Sequence, residues 1–245
     1  MKDLPQLEPD MALFLDFDGT LAELAPRPED VQVSEAIVAA LSHLQTTLDG
    51  ALAVVSGRPI EQIDSFLAPL HLPAAGLHGL EHRARAEAAI ERDEPSPEIR
   101  ALKGLLRNSS LLSQGAFMED KGPAVAVHFR AVPELEGDVV RIMTEAVEAL
   151  PALHLVHGKM VVEAKPYTSD KGYAVRSFMQ HAPFAGRRPV FIGDDVTDED
   201  GMAAAQDLGG IGIKVGEGES CALGRLENVV AVQAWLAASD LVSES

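Results

Sequence analysis

The chain of 245 residues carries 38 acidic against 20 basic side chains, which gives a formal net charge of -18. This excess repels nucleic-acid backbones and anionic lipid headgroups, so we expect neither nucleic acid nor a membrane as a partner. A single cysteine, Cys221, excludes an internal disulfide and a zinc site built from several thiolates. No stretch reaches the roughly 18 apolar residues of a membrane span, so we expect a soluble, cytoplasmic protein, with a monomer as the working expectation.

Four short apolar runs predict strands that are buried on both faces, as in a parallel sheet. They are residues 11–19 (MALFLDFDG), 50–58 (GALAVVSGR), 188–198 (RPVFIGDDVTD) and 209–216 (GGIGIKVG). Three stretches with helical spacing lie between them: residues 34–48, with Ser34 as candidate N-cap, 59–70 and 169–182. Strands that alternate with helices predict an α/β fold with a Rossmann-like, doubly wound parallel sheet.

The middle of the chain follows a different pattern. An acidic, proline-containing link precedes a helix-like stretch (99–112), an alternating strand (124–130), a second helix (134–150) and a pair of strands (154–166). Amphipathic strands beside helices predict a small α+β module with one exposed sheet face. We therefore divide the chain into a Rossmann-like core, residues 1–82 and 166–245, and an inserted α+β cap domain, residues 83–165.

Polar side chains follow the predicted strands at their carboxyl ends, where open α/β sheets bind ligands. They are Asp16 and Asp18 after the first run, Ser56 and Gly57 after the second, and Asp194, Asp195 and Asp198 after the third. Side chains two apart in an extended segment point the same way, so Asp16 and Asp18 are expected on one side. Five carboxylates at one sheet edge would repel each other without a cation. The predicted cofactor is therefore a hard divalent cation with oxygen ligands, Mg²⁺.

Four motifs follow one another in the chain: Asp16-Phe17-Asp18-Gly19-Thr20, Ser56, Lys171 and Gly193-Asp194-Asp195 with Asp198. In these motifs the chain resembles the haloacid dehalogenase superfamily of phosphohydrolases. The resemblance implies that Asp16 is a nucleophile that forms an aspartyl-phosphate. Asp18 would protonate the leaving alkoxide and then deprotonate the attacking water.

The same resemblance implies the residues around the metal and the phosphate. The metal would be held by the Asp16 carboxylate, the backbone carbonyl of Asp18 and Asp194, while Asp195 and Asp198 orient these ligands. Ser56 and Thr20 would donate hydroxyl hydrogen bonds to phosphate oxygens. Lys171 would place a positive charge where the transferred phosphoryl group becomes more negative.

Four further segments are distinctive: VSGRP (55–59), GLHGLE (76–81), HFR (128–130) and GKMVVEAKP (158–166). They look like those of trehalose-6-phosphate phosphatases. This resemblance implies that Lys159 and Glu163 reach hydroxyls of the distal glucose, and their spacing of four in one predicted strand would let both face the same way. The other substrate contacts that the two resemblances imply are Gly19, Thr20, Gly57, Arg58, His78, Gly79, Glu81 and Arg130.

The activity that these resemblances imply is Mg²⁺-dependent hydrolysis of trehalose 6-phosphate to trehalose and phosphate, a step of trehalose biosynthesis. Two alternatives stay open. One is another sugar phosphatase of the superfamily, acting on sucrose 6-phosphate, mannosyl-3-phosphoglycerate or a hexose phosphate, because only cap residues separate these substrates. The other is a protein that binds a sugar phosphate without hydrolysing it, against which the presence of both Asp16 and Asp18 argues.

Overall fold

The computed structural model describes residues 4, 6–25, 30–158, 160–167 and 169–240. The strands are β1 (Met11–Leu15), β2 (Leu52–Val55), β3 (Ala74–Gly76), β4 (Glu81–Arg83), β5 (Glu91–Arg92), β6 (Phe117–Asp120), β7 (Val125–His128), β8 (Leu153–Gly158), β9 (Val161–Pro166), β10 (Arg188–Gly193), β11 (Ile211–Val215) and β12 (Gly224–Leu226). The helices are α1 (Glu35–Thr47), α2 (Ile60–Leu67), α3 (Pro97–Arg107), α4 (Ser110–Ser113), α5 (Glu136–Glu148), α6 (Lys171–Phe178), α7 (Asp198–Asp207) and α8 (Val229–Asp240). None of the described helices combines the length and apolar character that a membrane span requires.

The chain forms two compact units, each with its own hydrophobic core. The first consists of Met1–Glu91 and Asp170–Ser245, and the second of Arg92–Ser169. The division predicted from the sequence, at 82/83 and 165/166, lies somewhat earlier in the chain at both junctions.

A largely parallel sheet forms the centre of the first unit. Its strand order is β12-β11-β10-β1-β2-β3-β4-β5, and the neighbours from β12 to β3 are all parallel, whereas β4 runs antiparallel to β3. Every residue of β1 and β2 is buried, as the continuous apolar runs predicted. The α/β fold with a Rossmann-like parallel sheet is therefore confirmed.

The three helices predicted in this unit are found, and the first begins as predicted. The Ser34 side chain accepts a hydrogen bond from the backbone N–H of Ile37 at 3.4 Å, which satisfies one donor at the start of α1. The apolar face of α1, with Ile37, Leu41 and Leu44, belongs to the same hydrophobic core as β1. The predicted strands end at Leu15, Val55, Gly193 and Val215, so the polar residues singled out above follow the strands.

The second unit is a four-stranded antiparallel sheet with helices. The strand order is β6-β7-β9-β8, and Leu102 of α3, Met143 of α5 and Val162 of β9 share one core. The predicted helix over 99–112 is interrupted, because α3 ends at Arg107 and α4 begins at Ser110. An α+β module is confirmed for this part of the chain.

The predicted pair of strands over residues 154–166 is present as β8 and β9. We expected Lys159 and Glu163 on a single strand of this pair. Glu163 lies on β9, which begins at Val161. Lys159 itself lies outside the described residues.

Candidate active site

A buried lysine joins two aspartates at the carboxyl edge of the sheet. Asp16 directly follows β1, Lys171 opens α6 and Asp198 opens α7. The Lys171 ammonium donates to Oδ1 of Asp16 at 2.7 Å and to Oδ1 of Asp198 at 2.6 Å, and all three side chains are at most 5% exposed. The fold thus places the predicted nucleophile against the predicted catalytic lysine.

The protonation of this group is governed by burial and by its own charges. Burial raises the pKa of Asp16 to about 8; Lys171 counteracts this rise and Asp198 adds to it. Burial alone would lower the pKa of Lys171, but the two carboxylates raise it above its ordinary value. The lysine therefore stays charged, and one ammonium does not fully compensate the surrounding carboxylates.

Asp194 is held in place by its neighbours in the loop after β10. Asp198 Oδ2 accepts hydrogen bonds from the backbone N–H groups of Asp194 at 3.1 Å and Asp195 at 2.9 Å. The Asp194 carboxylate lies against Gly19, where a Cβ atom would come within 2.2 Å of it, and Thr20 donates its hydroxyl to Asp194 Oδ1 at 3.5 Å. Gly19 also has φ of +77°, so this turn requires glycine for its backbone as well as for space. The first and fourth motifs are thereby brought together.

Three carboxylates are spaced as ligands of one metal ion. One oxygen from each of Asp16, Asp194 and Asp198 lies within 4.8 Å of the others. Burial raises the pKa of Asp194 to about 6, and Asp198 and Asp195 add to the rise. Of the three carboxylates, Lys171 donates hydrogen bonds to those of Asp16 and Asp198, so when all three are ionised their negative charge is only partly compensated. Hard oxygen donors with this uncompensated charge fit a divalent cation such as Mg²⁺.

Of the five aspartates expected at the sheet edge, three lie close enough together to share one metal ion. The group with metal spacing does not include Asp18 or Asp195. The rule that places residues two apart on one side applies within a strand, but β1 ends at Leu15, before both aspartates. Asp195 is exposed and accepts a hydrogen bond from the next backbone N–H in its own loop, at 2.6 Å.

Asp18 has a cationic partner of its own. Arg58, which follows β2, donates from Nε and Nη2 to the two carboxylate oxygens of Asp18 at 2.5 and 2.6 Å. This is the paired geometry that arginine forms with carboxylates. The Arg58 guanidinium also lies 5.6 Å from the ring centre of Phe17 and 5.0 Å from that of Phe66. Arg58, which was predicted as a substrate contact, therefore orients Asp18, the residue predicted to act first as an acid and then as a base.

The Ser56-Gly57 turn receives His78 from the segment after β3. Ser56 is buried and its hydroxyl accepts the backbone N–H of Arg58 at 3.2 Å. A Cβ atom at Gly57 would come within 2.7 Å of His78 Nε2, so only glycine leaves room for this imidazole. Leu77 and His78 both have positive φ, 50° and 57°. Such strained backbone conformations concentrate at functional sites. Here the imidazole of His78 lies against Gly57, next to Ser56 of the second motif.

Glu81 has a structural contact in addition to its predicted role. It lies on β4, is 5% exposed, and its Oε2 accepts the backbone N–H of Ile60 at 2.8 Å. The residue before α2 is Pro59, whose side chain makes no capping hydrogen bond, so Glu81 satisfies a free donor at the start of that helix. Gly79, with φ of +100°, lies in the turn between His78 and β4.

The predicted sugar contacts of the second unit lie on and beside its sheet. Glu163 is on β9, and its Oε2 accepts a hydrogen bond from Lys121 Nζ at 2.8 Å, with 16% and 24% of the two side chains exposed. Arg130 follows β7 and is exposed. The binding of sugar hydroxyls by these residues stays a prediction.

One residue near the metal-spaced carboxylates was missed in the sequence. Lys214 lies on β11, is 6% exposed, and donates from Nζ to the backbone carbonyl oxygen of Asp194. The sequence did offer one signal, a single charged residue inside the apolar run GIGIKVG. Lysine is rarely buried without a partner, so a lysine in a buried strand indicates a specific contact.

Solved structures with low sequence identity share this fold. The C-terminal domain of C. albicans trehalose-6-phosphate phosphatase matches with a TM-score of 0.74 at 17% identity, over 95% of this chain and 92% of that one. A haloacid dehalogenase-like hydrolase from B. subtilis matches with a TM-score of 0.68 at 17% identity, over 93% of this chain and 99% of that one. The architecture is therefore that of haloacid dehalogenase-like hydrolases.

Comparison of sequences identifies a narrower family than the comparison of structures does. The chain is 40% identical over 236 residues to the trehalose-6-phosphate phosphatase of Escherichia coli K12, a match that covers 96% of this chain and 89% of the relative. A family profile described as trehalose-phosphatase matches residues 14–224, which include the carboxylates, Lys171 and Lys214. The chain is thus a phosphatase that belongs to the trehalose-phosphatase family.

Proposed function

We propose that this protein hydrolyses trehalose 6-phosphate to trehalose and phosphate through an aspartyl-phosphate on Asp16, with Mg²⁺ as cofactor. The observation that supports this chemistry is the environment of the buried Asp16. Its carboxylate pairs with Lys171 and lies close enough to two further carboxylates for all three to bind one metal ion. The choice of substrate is supported by the E. coli relative, which is named for it. A cytoplasmic location and a monomeric state remain predictions.

In the first step a carboxylate oxygen of Asp16 attacks the phosphorus atom and forms a P–O bond, while the bond from phosphorus to the sugar oxygen breaks. Asp18, in its protonated form, transfers a proton to that sugar oxygen, so trehalose leaves as a neutral alcohol. In the second step Asp18 accepts a proton from a water molecule that attacks the same phosphorus. The P–O bond to Asp16 then breaks and phosphate is released.

The other side chains of the core position these groups. Lys171 neutralises part of the charge that gathers on the phosphoryl oxygens, and its two hydrogen bonds keep Asp16 and Asp198 in place. Arg58 donates two parallel hydrogen bonds to Asp18; these occupy both carboxylate oxygens, so Asp18 leaves this pair when it carries the proton for the sugar oxygen. Asp16, Asp194 and the backbone carbonyl of Asp18 would hold Mg²⁺, which when bound offsets the negative charge of the carboxylates and of the substrate phosphate.

The function is tested by phosphate release from a panel of phosphate esters, with and without EDTA. The panel contains trehalose 6-phosphate, sucrose 6-phosphate, mannosyl-3-phosphoglycerate and glucose 6-phosphate. We expect the highest kcat/KM for trehalose 6-phosphate, complete loss of activity in EDTA and recovery on addition of excess Mg²⁺. A higher kcat/KM for another ester would assign that substrate instead, and full turnover in EDTA after removal of bound metal would contradict the metal-dependent mechanism.

Recognition of the distal glucose is proposed for Lys159, Glu163 and Arg130, and Glu163 provides the clearest test. Glu163→Ala removes one or two charge-assisted hydrogen bonds, each about 1.5–3 kcal/mol. We expect kcat/KM for trehalose 6-phosphate to fall roughly 10- to 150-fold for each bond. A small aryl phosphate has no distal sugar, so its hydrolysis should change little.

The ion pair with Lys121 gives Glu163 a second, purely structural role, which the comparison of the two substrates separates; a matched variant at another ion pair serves as the control. Glu145→Ala removes a carboxylate of the same unit that pairs with Arg141 on the exposed face of α5. We expect this control to hydrolyse both substrates like the parent protein. Equal losses on both substrates in Glu163→Ala, or no loss on either, would assign Glu163 to the ion pair alone.

A further inference from the structure

Lys214 is a buried cation for which the proposed chemistry has no role. It lies on β11, directly opposite Gly193 of β10 in the parallel register, one residue before Asp194. Only 6% of the residue is exposed. Removing an ammonium from water is unfavourable unless strong interactions replace the lost hydration, so its burial requires an explanation.

The hydrogen bonds of Lys214 go to backbone oxygens. Its Nζ donates to the carbonyl oxygen of Asp194 and to that of Val215, the latter at 2.7 Å. Among the residues that the structure describes, no carboxylate forms a salt bridge with it. The hydrogen bonds of the ammonium are therefore made to backbone oxygens, one of them in the loop after β10, and a hydrogen bond from a charged donor is stronger than one from a neutral donor.

Both backbone polar groups of Asp194 are consequently held by charged side chains from two different elements. Its N–H donates to Asp198 of α7 at 3.1 Å, and its carbonyl oxygen accepts from Lys214 of β11. With both peptide groups fixed, the Asp194 side chain starts from a defined backbone position beside Asp16. Without Lys214, one of these two restraints is lost.

We propose that Lys214 is a positioning residue that holds Asp194 in the orientation required to bind the divalent cation. This inference rests on the metal site of the proposed function. Groups that orient a metal ligand typically contribute 10- to 100-fold to metal affinity. Lys214 thus contributes to cation binding although it is itself a cation.

The two effects of this lysine on Mg²⁺ affinity have opposite signs, which makes the proposal testable. If Lys214 acted only through its charge, its removal would relieve repulsion of Mg²⁺ and tighten binding. If it positions Asp194, its removal weakens binding. The direction of the change in the dissociation constant therefore separates the two roles.

The test is titration of metal-free protein with Mg²⁺. Binding is measured by calorimetry and by the rise in melting temperature. The buffer is alkaline, so that protons do not compete with Mg²⁺ for the carboxylates. For Lys214→Met, which is one atom shorter and has no hydrogen-bond donor, we expect a dissociation constant about 10- to 100-fold higher than that of the parent protein. Saturating Mg²⁺ should restore most of kcat. Lys214→Arg, which keeps charged donors, should recover part of the affinity.

The matched control is Arg225→Met, because Arg225 lines the same cleft of about 990 Å³ and donates to the carbonyl oxygens of Gly216 and Gly218, not to that of Asp194. We expect its Mg²⁺ affinity to change less than about threefold.

Unchanged or tighter binding by Lys214→Met would overturn the inference while leaving the proposed function intact. A parent protein that does not bind Mg²⁺ would instead contradict the proposed function. If Lys214→Met does not fold, Lys214→Gln, whose amide is too short to reach the same carbonyl, carries the same comparison.

Discussion

Asp16→Asn is expected to abolish turnover of trehalose 6-phosphate. An amide is a poor nucleophile, so the P–O bond to residue 16 cannot form. Loss of a nucleophile that acts together with its neighbours lowers kcat on the order of 10,000-fold or more. The measurement is the initial rate of phosphate release at saturating substrate and Mg²⁺, with Asp16→Ala beside it, since alanine cannot revert to aspartate by deamidation.

A fold defect must be separated from this chemical defect. Asp207→Asn is a suitable control because Asp207 is exposed and pairs with Arg176 on the surface of the first unit; it should retain full activity. In metal-free buffer we expect no fall in the melting temperature of Asp16→Asn, because burial and Asp198 already disfavour the ionised form of Asp16, and a neutral amide avoids the cost of burying that charge. Activity of Asp16→Asn within tenfold of the parent protein would rule out Asp16 as the nucleophile.

Lys171→Met is expected to affect both stability and catalysis. It leaves the buried carboxylates of Asp16 and Asp198 without their ammonium, and breaking a buried ion pair on one side costs about 3–5 kcal/mol. The loss of a charge aimed at the phosphoryl group should lower kcat about 100- to 1,000-fold. Denaturant unfolding measures the first effect and phosphate release at saturating Mg²⁺ the second.

A double variant separates the two effects of Lys171. Lys171→Met with Asp198→Asn removes one positive and one negative charge, so the charge of the cluster returns to its original value. We expect most of the lost free energy of unfolding to be recovered, but not the lost activity. A single variant as stable as the parent protein, or a double variant with restored activity, would contradict the role given to this lysine.

Long, continuous apolar runs predicted the centre of the fold correctly. β1, β2, β10 and β11 lie inside the four runs because these strands are buried on both faces. Short or locally ambiguous elements were missed. β3 has only the sequence Ala-Ala-Gly, whose strand propensity is low, and α8 begins Val-Val-Ala-Val, which does not favour a helix locally. Both depend on packing that a local pattern does not contain.

Site residues that belong to a motif at the end of a strand could be placed from the sequence. The partners of these residues could not, because tertiary contacts determine them. Asp16 and Asp194 were placed at the sheet edge because parallel strands end there together. The partner of Asp18 was not predicted, since Arg58 reaches it across 40 residues of chain. Lys214 was missed because its function lies in a backbone contact with the neighbouring strand, which its own sequence neighbours do not reveal.

The most direct test of the account is detection of the phosphoenzyme. Trehalose 6-phosphate radiolabelled at phosphorus is mixed with the enzyme and Mg²⁺, quenched in acid within the first turnover, and the protein is digested for peptide mapping. We predict transient label, removed by hydroxylamine, on the peptide that contains Asp16, and none in EDTA or in Asp16→Asn. Turnover without label on the protein at any time, or label mapped to a peptide that lacks Asp16, would contradict the mechanism.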